Sequence, residues 1–434
     1  MSPRYIIRFI QAFFKRFKAI IVIGFVVGIL FFLLVEFFLP LISFESERIG
    51  IVGRFTTDNM PEEISSKLSN GLTHIDNSGN VSPAIAKSWE SPDGGKTWIF
   101  EINNSSTWDD GQKIKAADID YQFSDATIEV INDNTIKFNL TSQFSAFPII
   151  VSRPLFKKGL IGNGEWTVKN LSLSAGYIQK LVISNKDKSN NITHKITYKF
   201  YPSDDRLRLA FKLGQIDKIA KTQDSLDFES WKTVNISREI GYDNLVALFL
   251  NTDDEKFNNK SFRQNVAYAI DKSDFDGVRA IGPLSPNSWG YNSQVKQYAL
   301  DLDKAKDAKD SKIIISTLPN LLKTAEKIKN DWEDAGIQSE IQVVTNVPEN
   351  YQAFLATIDI PKDPDQYSLW HSTQTSTNIS HLKNPRIDKL LEDGRTELDQ
   401  ETRKKIYLDF QRFLVEEVPA VFLYHPTYYT ITRK

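Results

Sequence analysis

The chain is expected to form an α/β fold of two or three folded units behind one apolar N-terminal segment. Three observations predict this. The sequence has 434 residues, and at roughly 150 residues per domain that length holds two or three units. Asn244 to Lys272 reads as a strand followed by a helix: Leu245–Leu250 is an apolar run of the kind covered on both faces, and Asn258-Asn259 supplies turn and cap chemistry. From about Ser261, Phe262, Val266 and Ile270 recur at helical spacing, with Arg263 and Asn265 beside that stripe. Residues 312–344 repeat the theme as strand, helix and returning strand, a βαβ unit with parallel strands.

Composition narrows the function classes. With 41% hydrophobic and 25% charged residues the chain is ordinary globular material. A net charge of −2 offers no basic face for nucleic acid. There is no cysteine, so disulfides, thiolate chemistry, zinc–thiolate sites and Cys lipidation are excluded.

At the N-terminus, residues 1–18 carry Arg4, Arg8, Lys15, Arg16 and Lys18 and no acid. Ala19–Val35 is then uninterruptedly apolar and resumes after Glu36 as Phe37-Phe38-Leu39. A bilayer span needs ~20 such residues. Residues 19–40 are therefore expected to form a transmembrane anchor, with 1–18 cytoplasmic and everything after it outside. The competing reading, a cleaved signal peptide, wants a shorter core and small residues before the cut; Pro40-Leu-Ile-Ser-Phe-Glu offers no A-x-A pattern.

The remaining elements follow in order. Ile49–Phe55 is the first strand of the folded part and Met60–Leu72 a short helix. Asp93-Gly94-Gly95 makes a tight turn before the strand Lys96–Ile102, and Asp110-Gly111 makes a second. Ala116-Ala117-Asp118 should open a helix. Residues 128–140 form a hairpin turning on Asn132-Asp133-Asn134. Trp89, Trp98 and Trp108 either line a ligand site or pack the core of a small lobe. Residues 184–194 are a polar, exposed loop. On the helix Leu321–Ala335 the residues Leu321, Ala325, Ile328 and Trp332 share a face, and Gly336 stops it. Asn384-Pro385 caps a further helix; Ile406, Phe410, Phe413 and Leu414 form the stripe of another, stopped by Pro419. Ala420–Tyr424 and Tyr428–Thr432 are expected to return as strands to the first domain.

Several stretches share a pattern. Asn251, Phe257, Arg263, Ala267, Ala269, Ile270 and Asp271 are one block. Pro83, Ala86, Trp89, Phe100, Trp108, Asp110, Gly111, Ala117, Asp118 and Tyr121 are a second. Gly162, Gly164, Gly214 and Asp217, then Asp359, Asp363, Pro364 and Tyr367, then the run NPRIDKLL at residues 384–391, complete it. In these residues the chain resembles the extracellular solute-binding proteins of family 5, which serve peptide ABC importers, over roughly residues 50–430. It departs from them in a trimmed small lobe, in Glu165 and Trp166 where a proline and a tyrosine are usual, in one extra residue between Asp359 and Asp363, and in a shortened C-terminal end.

The resemblance implies a two-lobed periplasmic-binding-protein-like fold, type II and of the peptide-binding class. Lobe I would span 46–237 and 418–434, including a small β-rich sublobe at about 58–140, and lobe II 238–417. It implies a protein without enzymatic activity, a monomer, that captures a peptide or similar small polar solute outside the cell by hinge closure and passes it to an ABC transporter permease. The family's acid for the ligand α-ammonium falls on Asp359, with Asp363 or Asp365 as alternatives because of the inserted residue. Phe55, Trp289, Tyr291, Tyr367 and Trp370 are the candidate aromatic walls. A surface structural or sensory protein that kept the scaffold without transport is the alternative.

No cofactor or metal is expected. His74, His194, His371, His381 and His425 make no H-E-x-x-H pair, and no G-x-S-x-G, Walker A or G-x-G-x-x-G occurs.

Overall fold

The computed structural model describes residues 15–20, 23–32, 44–185 and 193–434. In chain order the strands are β1 (Phe44–Val52), β2 (Thr73–Ile75), β3 (Val81–Pro83), β4 (Ala86–Glu90), β5 (Thr97–Ile102), β6 (Ala126–Asn132), β7 (Thr135–Leu140), β8 (Trp166–Ser174) and β9 (Tyr177–Asn185). They continue as β10 (Thr193–Tyr201), β11 (Lys218–Thr222), β12 (Val234–Ile240), β13 (Asn244–Leu250), β14 (Gly277–Arg279), β15 (Lys312–Thr317), β16 (Gln338–Val343), β17 (Ala353–Asp359) and β18 (Ala420–Arg433).

Twelve of these strands form one sheet, in the order β16-β15-β17-β13-β18-β11-β1-β10-β9-β8, with β12 and β14 also paired to β18. A four-stranded antiparallel sheet, β4-β5-β7-β6, and the pair β2-β3 stand apart from it. The parallel pairing of β15 with β16 confirms the βαβ unit, and Leu321, Ala325, Ile328 and Trp332 are all buried on it.

The sheet is continuous, but its hydrophobic cores are separate. One core gathers β13, β15, β17 and the helices Lys260–Tyr268, Leu322–Asp334, Pro385–Thr396 and Gln400–Glu417. Two smaller ones serve the β1/β9/β10 and β11/β12 half, around Ile64, Ile183 and Tyr198 and around Phe211, Phe228 and Ile431. A fourth, of Trp98, Phe100, Trp108, Tyr121 and Phe138, fills the small β-rich lobe. Trp98 and Trp108 are thus core residues, while Trp89 stays half-buried.

β18 joins the two halves. Its first part pairs with β13 (Ala420 opposite Phe249) and its second with β12 (Thr427 opposite Ile240) and β11. This corrects the expected boundary at 418. Val418 and Ala420–Tyr424 pack in the larger core, where Ala420–Tyr424 pair with β13. Two helix expectations shrink as well: the first helix is Glu62–Leu68, and Ala116–Asp118 is a single 3-10 turn.

Local chemistry explains the helix starts. Asn259 Oδ1 accepts from the Ser261 and Phe262 amides, Asn384 Oδ1 from Arg386 and Ile387, and Asp399 Oδ1 from Thr402, each filling orphan donors of a first turn.

No helix among the described residues is long and apolar enough to cross a membrane. Residues 21–22 and 33–40 of the expected anchor, and 186–192 of the expected polar loop, lie outside the described residues. The described parts, 15–20 and 23–32, are helical, with Phe25, Phe31 and Phe32 exposed.

Candidate functional site

Between the larger core and the small lobe runs a crevice whose walls come from distant parts of the chain. One wall is the loop that leaves β17. Its first amide, Ile360 N, donates to Asp243 O at 2.8 Å. Lys362 Nζ then reaches across to Glu62 Oε1 at 2.6 Å, on the helix Glu62–Leu68 of the opposite half.

The next residue is clamped. Asp363 accepts from Arg403 Nη1 at 2.8 Å and Nη2 at 2.6 Å, and Arg403 Nε donates to Gly394 O at 2.7 Å. Both side chains are buried, at 6% and 7% exposure, so the pair is a fork held out of water. Burial opposes the Arg403 charge, but the Asp363 carboxylate outweighs it and the guanidinium is held more basic than usual. Asp365 accepts from Arg395 Nε at 2.9 Å. Burial pushes its carboxyl pKa up, against the pull of Arg395.

The facing wall is the turn between β2 and β3. Asp76 Oδ1 accepts from the Ser78 and Asn80 amides at 2.8 and 2.9 Å, which ties the turn internally. Hydrogen bonds from Asn80 hold the Asp76 carboxyl below its usual range. Three contacts then cross the crevice. Trp289 N donates to Ser78 O at 3.0 Å, and Gln400 Nε2 to Asn80 Oδ1 at 3.2 Å. Gly79, at φ +87°, lies so close to the Lys362 carbonyl that a Cβ would stand 2.4 Å from it. Only glycine meets both demands.

On either side of this bridge lies a hollow. The larger, about 750 Å³, is polar and lined among others by Glu62, Lys67, Asn70, His74, Asp76 and Lys362. The other, about 400 Å³, is partly aromatic, with Trp89, Trp98 and Trp289 beside Pro148 and Arg403. Both fall in the range of ~300–1,000 Å³ usual for small-molecule sites. Among the described residues no group of three or more His, Asp or Glu is placed to hold a metal.

The expected site residues do not converge. Trp289 lines the aromatic hollow, edge-on to Tyr407 and beneath Arg403. Asp359 ends β17, exposed, and accepts from Asn244 Nδ2 at 2.7 Å. Tyr428 also bonds Asn244, so Asp359 sits where the sheet passes from one half to the other. Tyr367 is half-buried, stacked at 4.0 Å on His371 and covered by Arg395. Phe55 packs edge-on against Phe200, and Tyr291 is half-buried behind Trp289 in the chain.

Trp370 is not a wall residue. It is 1% exposed, between Phe249 and Phe422, and its Nε1 donates to Gln366 Oε1. Its ring belongs to the larger core.

Sequence reasoning missed Lys362, Gly79 and Arg403. Asp363 and Pro364 were legible as a motif, but the partner forty residues on carried no local signal.

This arrangement of an α/β sheet shared by two halves, with a crevice between them, is that of a solute-binding protein, and solved structures have the same fold. A crystal structure of NikZ from Campylobacter jejuni, in complex with Ni(L-His), superposes with a TM-score of 0.72 over 90% of this chain and 94% of that one, at 21% identity. The oligopeptide-binding protein AppA from Bacillus subtilis, with a nonapeptide, gives 0.69 over 91% and 95%, also at 21%. The probable D,D-dipeptide-binding periplasmic protein of Escherichia coli is 22% identical, over 82% of this chain and 81% of its own. Residues 120–379 match the middle region of the bacterial extracellular solute-binding proteins, family 5, and the chain belongs to that family.

Proposed function

We propose that this protein captures a peptide, or a small polar solute of similar size, outside the cell and delivers it to an ABC transporter permease, held at the membrane by its N-terminal helix. The polar hollow of about 750 Å³, lined from residues 62–165 and closed by Lys362 of the other half, carries this reading. A solute lodged there touches both halves, so it stabilises the closed arrangement by the affinity it gains on closure. The hinge is the crossing of β18 with the 240–244 segment, which divides lobe I, with the second half of β18, from lobe II, with the first half. Trp289, on the neighbouring hollow, is the proposed aromatic contact, while Asp359, bonded to Asn244 beside that hinge, lines neither hollow. Relatives named for dipeptides and a structural neighbour holding a nonapeptide support a peptide ligand.

Calorimetry of the purified chain with defined di- to pentapeptide mixtures tests it. Heat is expected with at least one mixture, weakened by Trp289→Ala. Silence across all of them would refute the peptide reading.

A further inference from the structure

We propose that the small β-rich lobe is a working jaw of the crevice, and that Arg395, which lines neither hollow, is the positioning residue that pins this jaw to the larger half and so sets how tightly a solute is held. This rests on the solute-binding reading and adds a residue that acts on the solute only through closure.

The pin is built from both sides of the seam. Arg395 lies in the last turn of the helix Pro385–Thr396. Its guanidinium stands 4.3 Å from the ring centroid of Tyr367, in the larger half, and 4.8 Å from that of Phe144, in the small lobe. Nε donates to Asp365 Oδ2 at 2.9 Å, which holds the group between the two rings. The backbone joins in. Carbonyls of a last helical turn have no partner within their helix. Ser145 supplies two: its N donates to Arg395 O at 2.7 Å and its Oγ to Gly394 O at 3.3 Å. The small lobe thus caps a helix of the larger half.

Phe144 is anchored in its own lobe. Its N donates to Gly95 O at 2.9 Å, its carbonyl accepts from Trp98 Nε1 at 3.2 Å, and its ring packs against the small-lobe core. A pull on Phe144 therefore moves the lobe. The second contact with the larger half is the bridge at Ser78 and Gly79. Gly79 and Ser145 both line the aromatic hollow, so each contact borders space that a solute group can fill. Contacts between the walls favour the shut arrangement by themselves, and apparent affinity scales with the fraction of molecules shut. Arg395 is 34% exposed, so its hold on Phe144 is worth a severalfold change rather than an all-or-none one.

The test uses dyes on Asn104→Cys and Lys405→Cys, exposed positions in the small lobe and the larger half of the full chain. Energy transfer between them should drop in Arg395→Ala and in Phe144→Leu. The peptide mixture that gives heat with the parent chain should bind about three- to fivefold more weakly to each single variant. The double variant should lose no more than the worse single, because both remove the same contact. Phe144→Leu keeps apolar bulk in its lobe and carries the test should Arg395→Ala fail to fold. Unchanged transfer overturns the proposal, as do losses that add in the double variant or an affinity that stays at the parent value. If no mixture gives heat, the peptide reading falls and transfer alone decides the jaw, a drop supporting it and no change overturning it.

Discussion

At the scale of single residues, the buried fork Arg403–Asp363 decides most. Removing one partner strands the other in a dry site. Arg403→Met should therefore cost about 3–5 kcal/mol in denaturant unfolding. The Asp363→Asn, Arg403→Met double variant should recover part of it, since no charge is then left alone. His425 shows the same logic through protons. It is buried on β18, and its Nδ1 donates to Asn244 O at 2.8 Å, since a carbonyl can only accept. Burial lowers its pKa below 6.5, against the pull of that carbonyl. Below pH 6.5 the unfolded chain binds a proton that the folded chain resists, so stability should fall as the pH drops from 7 to 5. His425→Gln should flatten that slope in denaturant titrations at each pH.

Among the elements, the β2–β3 turn and β18 matter most to the site. The turn is ordered by Asp76 before it meets the other half, so it presents Ser78 O and Gly79 ready-made. Gly79→Val should push the Lys362 carbonyl away and part the walls. The chain has no cysteine, so Asn104→Cys and Lys405→Cys, both at exposed positions, can carry a dye pair. Transfer efficiency should drop in the valine variant; an unchanged value would mean the turn does not hold the crevice shut. β18 owes its start to Val418, at φ +50°, followed by Pro419, where the helix Gln400–Glu417 cannot continue.

For the molecule as a whole, the proposal of an anchor makes a simple demand. The full chain should stay with membranes after an alkaline wash, and a chain starting at Ser46 should not. Recovery of the full chain in the soluble fraction would count against it. The sequence by itself determined the α/β class, the βαβ unit, the helix caps and the family, because those reside in short-range periodicity, turn chemistry and motifs of a few residues. It marked Asp363 and Pro364 without their partner. Tertiary structure alone decided that Trp370 is core, that Lys362 rather than Asp359 lines the polar hollow, and that β18 belongs to both halves. Those outcomes depend on which distant segments meet: Glu62 with Lys362, Gly79 with the same loop, Asp363 with Arg403. Contacts between residues forty or three hundred positions apart leave no trace in local pattern, since each partner alone looks like an ordinary surface charge or a turn glycine.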